Sequence, residues 1–451
     1  MSGTTPPSAP QPVSFGAAFM YWLKLGFISF GGPAGQIAIM HEELVERRRW
    51  ISENRFLHAL NYCMVLPGPE AQQLAIYIGW LLHRTAGGVA AGVLFVLPSL
   101  FILIALSWIY MAFGSVPLIA GLFYGIKPAV TALVMHAAWR IGSRALKNAW
   151  LWSIAAAAFL GIFLLELPFP LIVLAAGVAG YCGGRWAPQW FAVGGGQHGK
   201  TGKAGEHAMK ALIDDETPPP PHARFAWSRF FRQLAVFLLL WAAMMALLVA
   251  CFGKDAVLTQ MAWFFTKAAL LTFGGAYAVL PYVFQNAVEH YHWLSAAQMI
   301  DGLALGETTP GPLIMLVSFV GFVGGWSRAV LGLDALFLSG ALAASVVTYF
   351  TFLPSFMMIL LGGPFIESTH GNLKFTAPLT GITAAVVGVI VNLAVFFAWH
   401  VLWPEGWQGR FEWPAFVIGL AAALALFRFK RGVIGVVLFS GLAGMAWSLL
   451  K

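Results

Sequence analysis

Apolar segments separated by short breaks of glycine, proline or charged residues fill most of the chain. In the first half, two such breaks, Gly31-Gly32-Pro33 and Pro67-Gly68-Pro69, together with a charged stretch that ends at Arg49, divide the sequence into four arms. The pattern predicts helices for these arms at positions 13–30, 34–50, 55–66 and 70–82. Each arm is about 18 to 27 Å long as a helix, which is short or marginal for a bilayer core about 30 Å thick. Two broken hairpins are therefore as well supported as four full crossings.

Longer apolar segments follow the arms and are predicted to cross the membrane. In the first half they lie at positions 89–113, 116–139, 150–165 and 169–182. After one additional helix at 230–252, the second half repeats the order, with arms at 258–273, 276–293, 296–309 and 313–325 and crossings at 336–361, 375–399, 413–427 and 433–449. The expected fold class is an all-α polytopic membrane protein.

The two halves are related in sequence. Three short motifs occur in both halves at spacings of 243 or 256 positions: Phe-Gly-Gly at 30 and 273, Pro-Gly-Pro at 67 and 310, and Leu-Pro-Ser at 97 and 353. Because a single extra helix precedes the second copy, that copy is predicted to be inverted relative to the first. In such inverted-topology repeats, broken helices form substrate sites at the repeat interface.

The basic residues change ends between the copies, as an inverted repeat requires. Three arginines at 47–49 correspond to His290, Tyr291 and His292, which include no Lys or Arg. The last hairpin tip is Glu166-Leu167-Pro168 in the first copy, whereas the second copy has three basic residues between 428 and 431. Since positive charge favours the cytoplasmic side, the N-terminus and the linker are expected in the cytoplasm and the C-terminus in the periplasm.

These boundaries divide the chain into five expected parts. They are a disordered tail (1–12), an N-terminal transporter repeat (13–182), a cytoplasmic linker (183–229), an extra helix that inverts the second repeat (230–257) and a C-terminal transporter repeat (258–451). The linker is rich in Gly and Pro and is expected to be flexible and solvated.

Composition supports the membrane assignment. Hydrophobic residues make up 59% of the chain and charged residues only 10%, a ratio that indicates lipid rather than water as the surrounding solvent. The net charge of +8 fits basic cytoplasmic loops, and without a long basic run it does not suggest nucleic acid binding. Cys63, Cys182 and Cys251 lie in apolar runs without ligand spacing and are expected in the core. Neither a metal site nor a cofactor is expected.

Three stretches resemble the chromate ion transporter family in its long, two-domain form: Phe30-Gly31-Gly32, Leu66–Ala75 and Gly306–Pro312. The resemblance covers nearly the whole chain. It implies a multi-pass protein of the bacterial inner membrane that exports chromate by secondary transport. The implied driving force is the proton motive force, with exchange for a proton or for sulfate as alternatives. Expected partners are chromate or sulfate as substrate and membrane lipid, and a homodimer is left open.

An oxyanion inside a membrane needs hydrogen-bond donors and positive potential, and helix N-termini supply both. Proline suits the first helical position, and glycine lets the backbone approach a ligand. The candidate substrate-binding residues are the glycines and prolines of the breaks, the lysines within apolar segments and the polar residues beside the breaks: Gly31, Gly32, Pro67, Gly68, Pro69, Gly274, Gly275, Pro310, Gly311, Pro312, Lys24, Lys267, Lys127, Asn61, Gln72, Gln73, Thr308 and Thr309. The alternatives are packing kinks, lysines that reach the headgroups and helix-to-helix hydrogen bonds.

Glu70 and Glu307 flank the two Pro-Gly-Pro motifs and are the proton-coupling candidates. A carboxylate beside an oxyanion repels it unless it is protonated, so such a group can carry the coupled proton. For Glu70, helix capping is the alternative, since an acid is favoured in a first turn. Two other functions are considered: a transporter or channel for sulfate or another small anion, and a lipid-modifying enzyme. The enzyme lacks support because no His, Asp or Glu cluster has ligand spacing.

Overall fold

The computed structural model describes residues 12–30, 32–191, 211–215, 217–218, 220–273, 275–369 and 376–450. In this part of the chain the regular secondary structure is helical except for one β-bridge between Ile51 and Ile213. The α-helices are α1 (Phe15–Ile28), α2 (Gly32–His41), α3 (Glu53–Val65), α4 (Glu70–Phe113), α5 (Pro117–Ala145), α6 (Ala149–Leu165), α7 (Phe169–Trp186), α8 (Pro188–Phe191), α9 (Trp227–Phe252), α10 (Val257–Leu270), α11 (Ala276–Phe284), α12 (Ala296–Thr308), α13 (Leu316–Ser327), α14 (Leu336–Thr369), α15 (Thr376–Leu402), α16 (Trp413–Phe427) and α17 (Val433–Leu450).

Short π-helical or 3₁₀ segments directly follow or precede four of these helices. Single π-helical segments, Glu42–Arg47 and Gln285–His290, extend α2 and α11 at equivalent places in the two copies. Two 3₁₀ turns lead into α13 and α14. In α4, non-helical dihedral angles at His83 and Arg84 separate a first limb (70–82) from a second limb (85–113).

The second limb of α4 and α14 show directly that the two copies are inverted. They are repeat equivalents, because Leu-Pro-Ser occurs in each. Gly88 lies against Leu360 and Gly92 against Phe356, so the residue numbers rise along one helix and fall along the other. Equivalent helices therefore run antiparallel. The predicted fold class, an all-α polytopic protein built from two inverted repeats, is confirmed.

The arms of the first repeat form hairpins that begin and end on the same side of the structure. His83 bonds to the carbonyl of Val13 (2.8 Å), which places the start of α1 beside the end of the first limb of α4. After the break, α2 leads back towards Ile51, and Ile51 forms a β-bridge with Ile213 of the linker. The next hairpin, α3 and the first limb of α4, also returns to the linker, where His222 bonds to the carbonyl of Trp80 (2.9 Å). Both hairpins open on this linker side.

The arms of the second repeat open on the opposite side, called here the far side. The hairpin of α12 and α13 returns to its start, where Arg328 donates to the carbonyl of His292 (3.3 Å). Gly324 lies against Trp293 and Met261, so α10 and α11 open at the same level. From there α14 crosses to the linker side, where Glu367 accepts from Arg55 (2.6 Å). The open alternative between hairpins and full crossings is resolved in favour of hairpins in both repeats.

The long helices that follow the hairpins in one repeat pack against helices of the other repeat. α5 packs against α16 and α17, while its equivalent α15 packs against α6 and α7. Small residues make the approach close, with Gly125 beside Gly444 and Gly381 beside Gly180, as is common where helices associate in lipid. By length and composition, six of the described helices can span a membrane: α4, α5, α9, α14, α15 and α17.

Part of the described linker is packed against the first repeat rather than solvated. Ile213 and Ala223 are buried, and Asp215 accepts hydrogen bonds from Ser52 (2.5 Å) and Asn54 (2.6 Å) at the start of α3. The expectation of a solvated linker is wrong for this portion, because it supplies apolar side chains and acceptors to the hairpins of the first repeat. The glycine run at 194–196, residues 1–11, Gly31 and Gly274 lie outside the described residues.

The three cysteines differ in environment. Cys63 is buried in α3, Cys182 is half-buried and Cys251 is exposed on α9. The expected core position therefore holds only for Cys63. All three are free thiols.

Side-specific labelling tests the inversion. In a cysteine-free background, single cysteines replace Ser14 and Glu53 at the ends of the first hairpin, or Ser295 and Ser327 at the ends of the last one. Because the two hairpins open on opposite sides, a membrane-impermeant maleimide is expected to label the first pair from the linker side and the second pair from the far side. Labelling of all four positions from one side contradicts the inverted arrangement.

Candidate functional site

The turns of the four hairpins meet in the interior. The Gly68 amide donates to the carbonyl of Thr272 (2.8 Å), and the Gly311 amide donates to the carbonyl of Ser29 (2.9 Å). Ser29 and Thr272 are equivalent, each directly preceding a Phe-Gly-Gly motif. Each Pro-Gly-Pro turn is thus hydrogen-bonded to the break of the other repeat. We call this region the tip cluster: residues 29–30, 32–36, 67–73, 272–273, 275–277 and 307–312, with Ser99 and Ser355.

The central glycines of the turns are required by conformation and by space. Gly68 has φ +127° and Gly311 φ +100°, values that favour glycine. A side-chain carbon at Gly68 would lie 2.6 Å from Ser355 Oγ, and one at Gly311 would lie 2.7 Å from Ser99 Cβ. The Leu-Pro-Ser motif of each copy therefore packs against the Pro-Gly-Pro turn of the other copy.

The second proline of each Pro-Gly-Pro turn directly precedes the next helical segment. Pro69 is extended and caps α4, so the N–H groups of the first turn of α4 have no acceptor within the helix. Pro312 is also extended, but the segment that follows starts as a 3₁₀ turn, Leu313–Met315, before α13. The two predicted helix starts are therefore not identical, and the longer regular N-terminus belongs to α4. The amides of Gly68 and Gly311, predicted as anion donors, are already bonded to carbonyls.

Buried polar side chains surround these turns and are incompletely bonded. Gln36 Nε2 donates to the carbonyls of Gly311 (2.6 Å) and Ser29 (3.1 Å), and Gln73 Nε2 donates to the carbonyl of Pro67 (2.8 Å). Both polar atoms of the Gln72 side chain, which is 0% exposed, have no hydrogen-bond partner among the described residues. The same holds for Ser99 Oγ and for the amide oxygens of Gln36 and Gln73. Burial of unpaired polar groups is costly. The unused hydrogen-bond donors and acceptors of these side chains are therefore consistent with a polar ligand.

The two acidic candidates lie at different parts of the cluster. Glu70 Oε1 is the atom nearest to the side-chain position of Gly275, which places this carboxylate beside the break of the other repeat. Glu307 accepts a hydrogen bond from the Tyr277 hydroxyl. The Arg140 guanidinium on α5 interacts electrostatically with both Glu307 and Tyr277.

Several candidate residues make other contacts. The Thr308 and Thr309 hydroxyls donate to carbonyls of their own helix, Ala304 (3.0 Å) and Gly306 (3.2 Å). Asn61 is exposed on α3. Lys127 pairs with Asp301, with 3.5 Å between Nζ and Oδ2.

The repeat-related lysines lie on two helices that lead to the tips. Lys24 is exposed on α1, and Lys267 is half-buried with its ammonium 5.8 Å from the ring centre of Trp263. Neither is bonded to the tip cluster in the described ranges.

Sequence reasoning missed five residues that the structure adds: Gln36, Ser99, Arg140, Tyr277 and Asp301. Only Ser99 carried a signal, because the Leu-Pro-Ser motif is repeated. The other four have no repeat counterpart of the same type and become visible only when the hairpins are packed. Among the described residues, no group of three or more His, Cys, Asp or Glu side chains can hold a metal ion.

A matched pair of glycine substitutions tests the packing of the turns. Gly311 and Gly332 have nearly equal φ values, +100° and +99°, but nothing lies within 4 Å of a side-chain carbon at Gly332. Gly311→Ala is expected to destabilise the protein by about 1–3 kcal/mol more than Gly332→Ala, because it adds a clash to the same backbone strain. The unfolding temperature in detergent measures this difference, and Ser99→Gly in the Gly311→Ala background should reduce it. Equal effects of the two alanines would mean that Ser99 does not pack against the turn.

Known proteins are similar in sequence to both repeats of this chain. The chromate transporter family model matches residues 16–181 and 259–445, one segment in each repeat. A chromate transport protein of Pseudomonas aeruginosa is 34% identical over 98% of this chain and 94% of its own length. A chromate transport protein of Cupriavidus metallidurans is 29% identical over 91% of this chain and 88% of its own length. No solved structure matches the chain. The protein belongs to the chromate transporter family, a family of transport proteins and not of enzymes.

Proposed function

We propose that the protein exports chromate from the cytoplasm by secondary active transport and that chromate binds in the tip cluster. The observation that carries the proposal is the meeting of four hairpin turns from inverted repeats around buried, unpartnered polar groups. Substrate sites of inverted-repeat transporters form at such an interface. The printed names of the relatives supply chromate as the substrate.

The chemistry of the cluster suits a tetrahedral dianion. The first-turn N–H groups of α4 and the positive end of its dipole face the region of the breaks. Gln72 Nε2 and the Ser99 hydroxyl can add neutral donors without a fixed positive charge. A hydrogen bond from such a donor to a charged group contributes about 1.5–3 kcal/mol. Binding through neutral donors allows release, since no permanent ion pair holds the anion.

The orientation follows from charge. The arginines at 47–49 lie on the linker side, next to the bridge between Ile51 and Ile213, and positive loops favour the cytoplasm. The linker side is therefore cytoplasmic and the far side periplasmic in the bacterial inner membrane. An inside-negative potential drives an anion outward, so the proton motive force supplies the energy for export. Glu70 and Glu307 are the proton-coupling candidates within the cluster, and exchange for a proton or for sulfate remains a variant of the same mechanism.

Flux measurements in inverted vesicles test the function. Uptake of labelled chromate corresponds to export, and it is expected to depend on the protein and to fall when the proton motive force is collapsed. Competition by excess sulfate would extend the substrate class to sulfate. Protein-dependent flux that is indifferent to the collapse indicates a channel, and absence of protein-dependent chromate flux contradicts the proposal.

Gln72→Leu separates a binding role from a structural one. Leucine removes the unpartnered amide at nearly constant volume, so stability should be unchanged or higher, because a buried unpaired polar group disappears. If Gln72 binds the anion, chromate flux should fall by about tenfold, the equivalent of one hydrogen bond to a charged group. Gln260→Leu is the control, since Gln260 donates to Asp255 outside the cluster. Normal chromate flux in Gln72→Leu removes this residue from the site.

A further inference from the structure

The interface between α5 and α12 carries charged side chains from both helices, of which Asp301 is buried and the others are half-buried. α12 contributes Asp301 and Glu307, and α5 contributes Lys127 and Arg140. Each carboxylate also accepts a hydrogen bond from a tyrosine hydroxyl, Tyr110 for Asp301 and Tyr277 for Glu307. We call these four charged residues the polar seam. It leads from the tip cluster towards the far side, because Asp301 precedes Thr309 by about 12 Å of helix.

Lys127 and Asp301, the pair nearer the far side, differ in how deeply their side chains are buried. The Asp301 side chain is 2% exposed and the Lys127 side chain 29% exposed, with 3.5 Å between Nζ and Oδ2. Tyr110 donates to the same Oδ2 (2.9 Å). The other oxygen, Oδ1, is buried and has no hydrogen-bond partner among the described residues. The Lys127 side chain is therefore partly exposed, whereas the carboxylate is enclosed with one oxygen unused.

Residues of the same types do not occupy the equivalent positions of the other repeat. The repeat equivalents of Lys127 and Asp301 are Thr383 and His58. No comparable interface joins α3 and α15, the equivalents of α12 and α5, in the described part of the chain. A feature that merely held the repeats together would be expected in both copies, as the exchanged crossings are. The single copy points instead to a step on the transport route.

We propose that Lys127 and Asp301 form a proton-linked anion station between the tip cluster and the far side. When Asp301 is ionised, its carboxylate neutralises Lys127 and repels an incoming anion. A proton on Oδ1 makes the carboxyl group neutral, and the ammonium then attracts the anion. Proton and anion occupy the station together, and both leave towards the far side.

This inference rests on the proposed function and narrows its coupling. A chromate dianion that moves with one proton carries one net negative charge outward, so the membrane potential is the driving component. Exchange of chromate for a proton requires the opposite relation, in which the proton excludes the anion. The geometry of the pair favours joint binding over exchange.

The charged groups near Asp301 are few. α5 presents Lys127 and, further along the seam, Arg140, and the second limb of α4 presents Tyr110. Among the other titratable groups on elements packed against α12, Tyr124 donates to Glu412 (2.6 Å), His136 lies against Phe427, Arg328 bonds to the carbonyl of His292 and His400 bonds to the carbonyl of Phe396. Asp301 is the carboxylate paired with Lys127, so its protonation removes the negative charge beside the ammonium.

Equilibrium exchange of labelled chromate isolates this step from the driving force. The full chain is placed in proteoliposomes with equal pH on both sides and no potential, and the exchange rate is measured from about pH 6 to about pH 8.5, with sulfate as a second probe. The wild-type rate is expected to fall by up to about tenfold per pH unit as Asp301 ionises. Asp301→Asn, a permanently neutral mimic, should be fast and change by less than about twofold beyond the change in chromate's own protonation.

A double variant keeps the test informative about Lys127. Lys127→Met alone leaves a buried carboxylate unpaired and can fail to fold, whereas Lys127→Met with Asp301→Asn removes both charges. The double variant should exchange chromate at least about tenfold more slowly than Asp301→Asn at every pH. Asp334→Asn, the same chemical change at an exposed position, should keep the wild-type profile.

The outcomes separate the pair from the substrate. A wild-type pH profile in Asp301→Asn, or equal rates in Asp301→Asn and the double variant, overturns the station. A pH-linked sulfate exchange that Asp301→Asn abolishes, without any chromate exchange by the wild type, supports the pair and overturns chromate as the substrate. Absence of exchange with both anions overturns both proposals.

Discussion

Backbone groups at the ends of interrupted helices must find partners inside a membrane, and this constraint organises the whole structure. Water is absent from the bilayer core, so an unpaired N–H or C=O there costs several kcal/mol. The protein meets the constraint reciprocally, since the Gly68 amide bonds to Thr272 and the Gly311 amide to Ser29. Neither repeat can satisfy its breaks alone. The inverted pairing of the two repeats is therefore a condition for having broken helices at this depth.

The same pairing leaves the polar capacity that transport requires. Once the turns are bonded to each other, the buried amide of Gln72 and the hydroxyl of Ser99 have no partner among the described residues. The exchanged crossings, α5 with α16 and α17 and α15 with α6 and α7, pack against the second repeat's arms α12 and α11. The symmetry ends at α12, which adds a single charged interface with α5. Symmetric packing thus positions the cluster, whereas the charged interface between α5 and α12 is asymmetric.

The architecture was largely readable from the sequence. The repeated Phe-Gly-Gly and Pro-Gly-Pro motifs, together with the reversal of basic residues, predict two inverted copies, because spacing and charge bias are properties of the chain alone. The sequence left hairpins and full crossings open, since arms of this length fit either. Contacts such as His83 with Val13 decide between them only after folding.

The site was less predictable for a physical reason. Whether a polar group is free depends on neighbours that are distant in sequence. The glycine amides predicted as donors are bonded across the repeats, and the hydroxyls of Thr308 and Thr309 are bonded within their helix. Lys127 was recognised as a charge in an apolar segment, but its partner Asp301 lies 174 positions away in the other repeat. Composition and spacing carry no information about such pairs.

Locating the anion itself tests the central claim most directly. Chromium scatters anomalously, so crystals of the chromate-bound protein reveal its position without any assumption about the site. The account predicts a chromium peak between the hairpin turns, with chromate oxygens within hydrogen-bonding distance of Gln72 and the first turn of α4. Chromium bound only at the lipid-facing surface, with the four turns unoccupied, would contradict it.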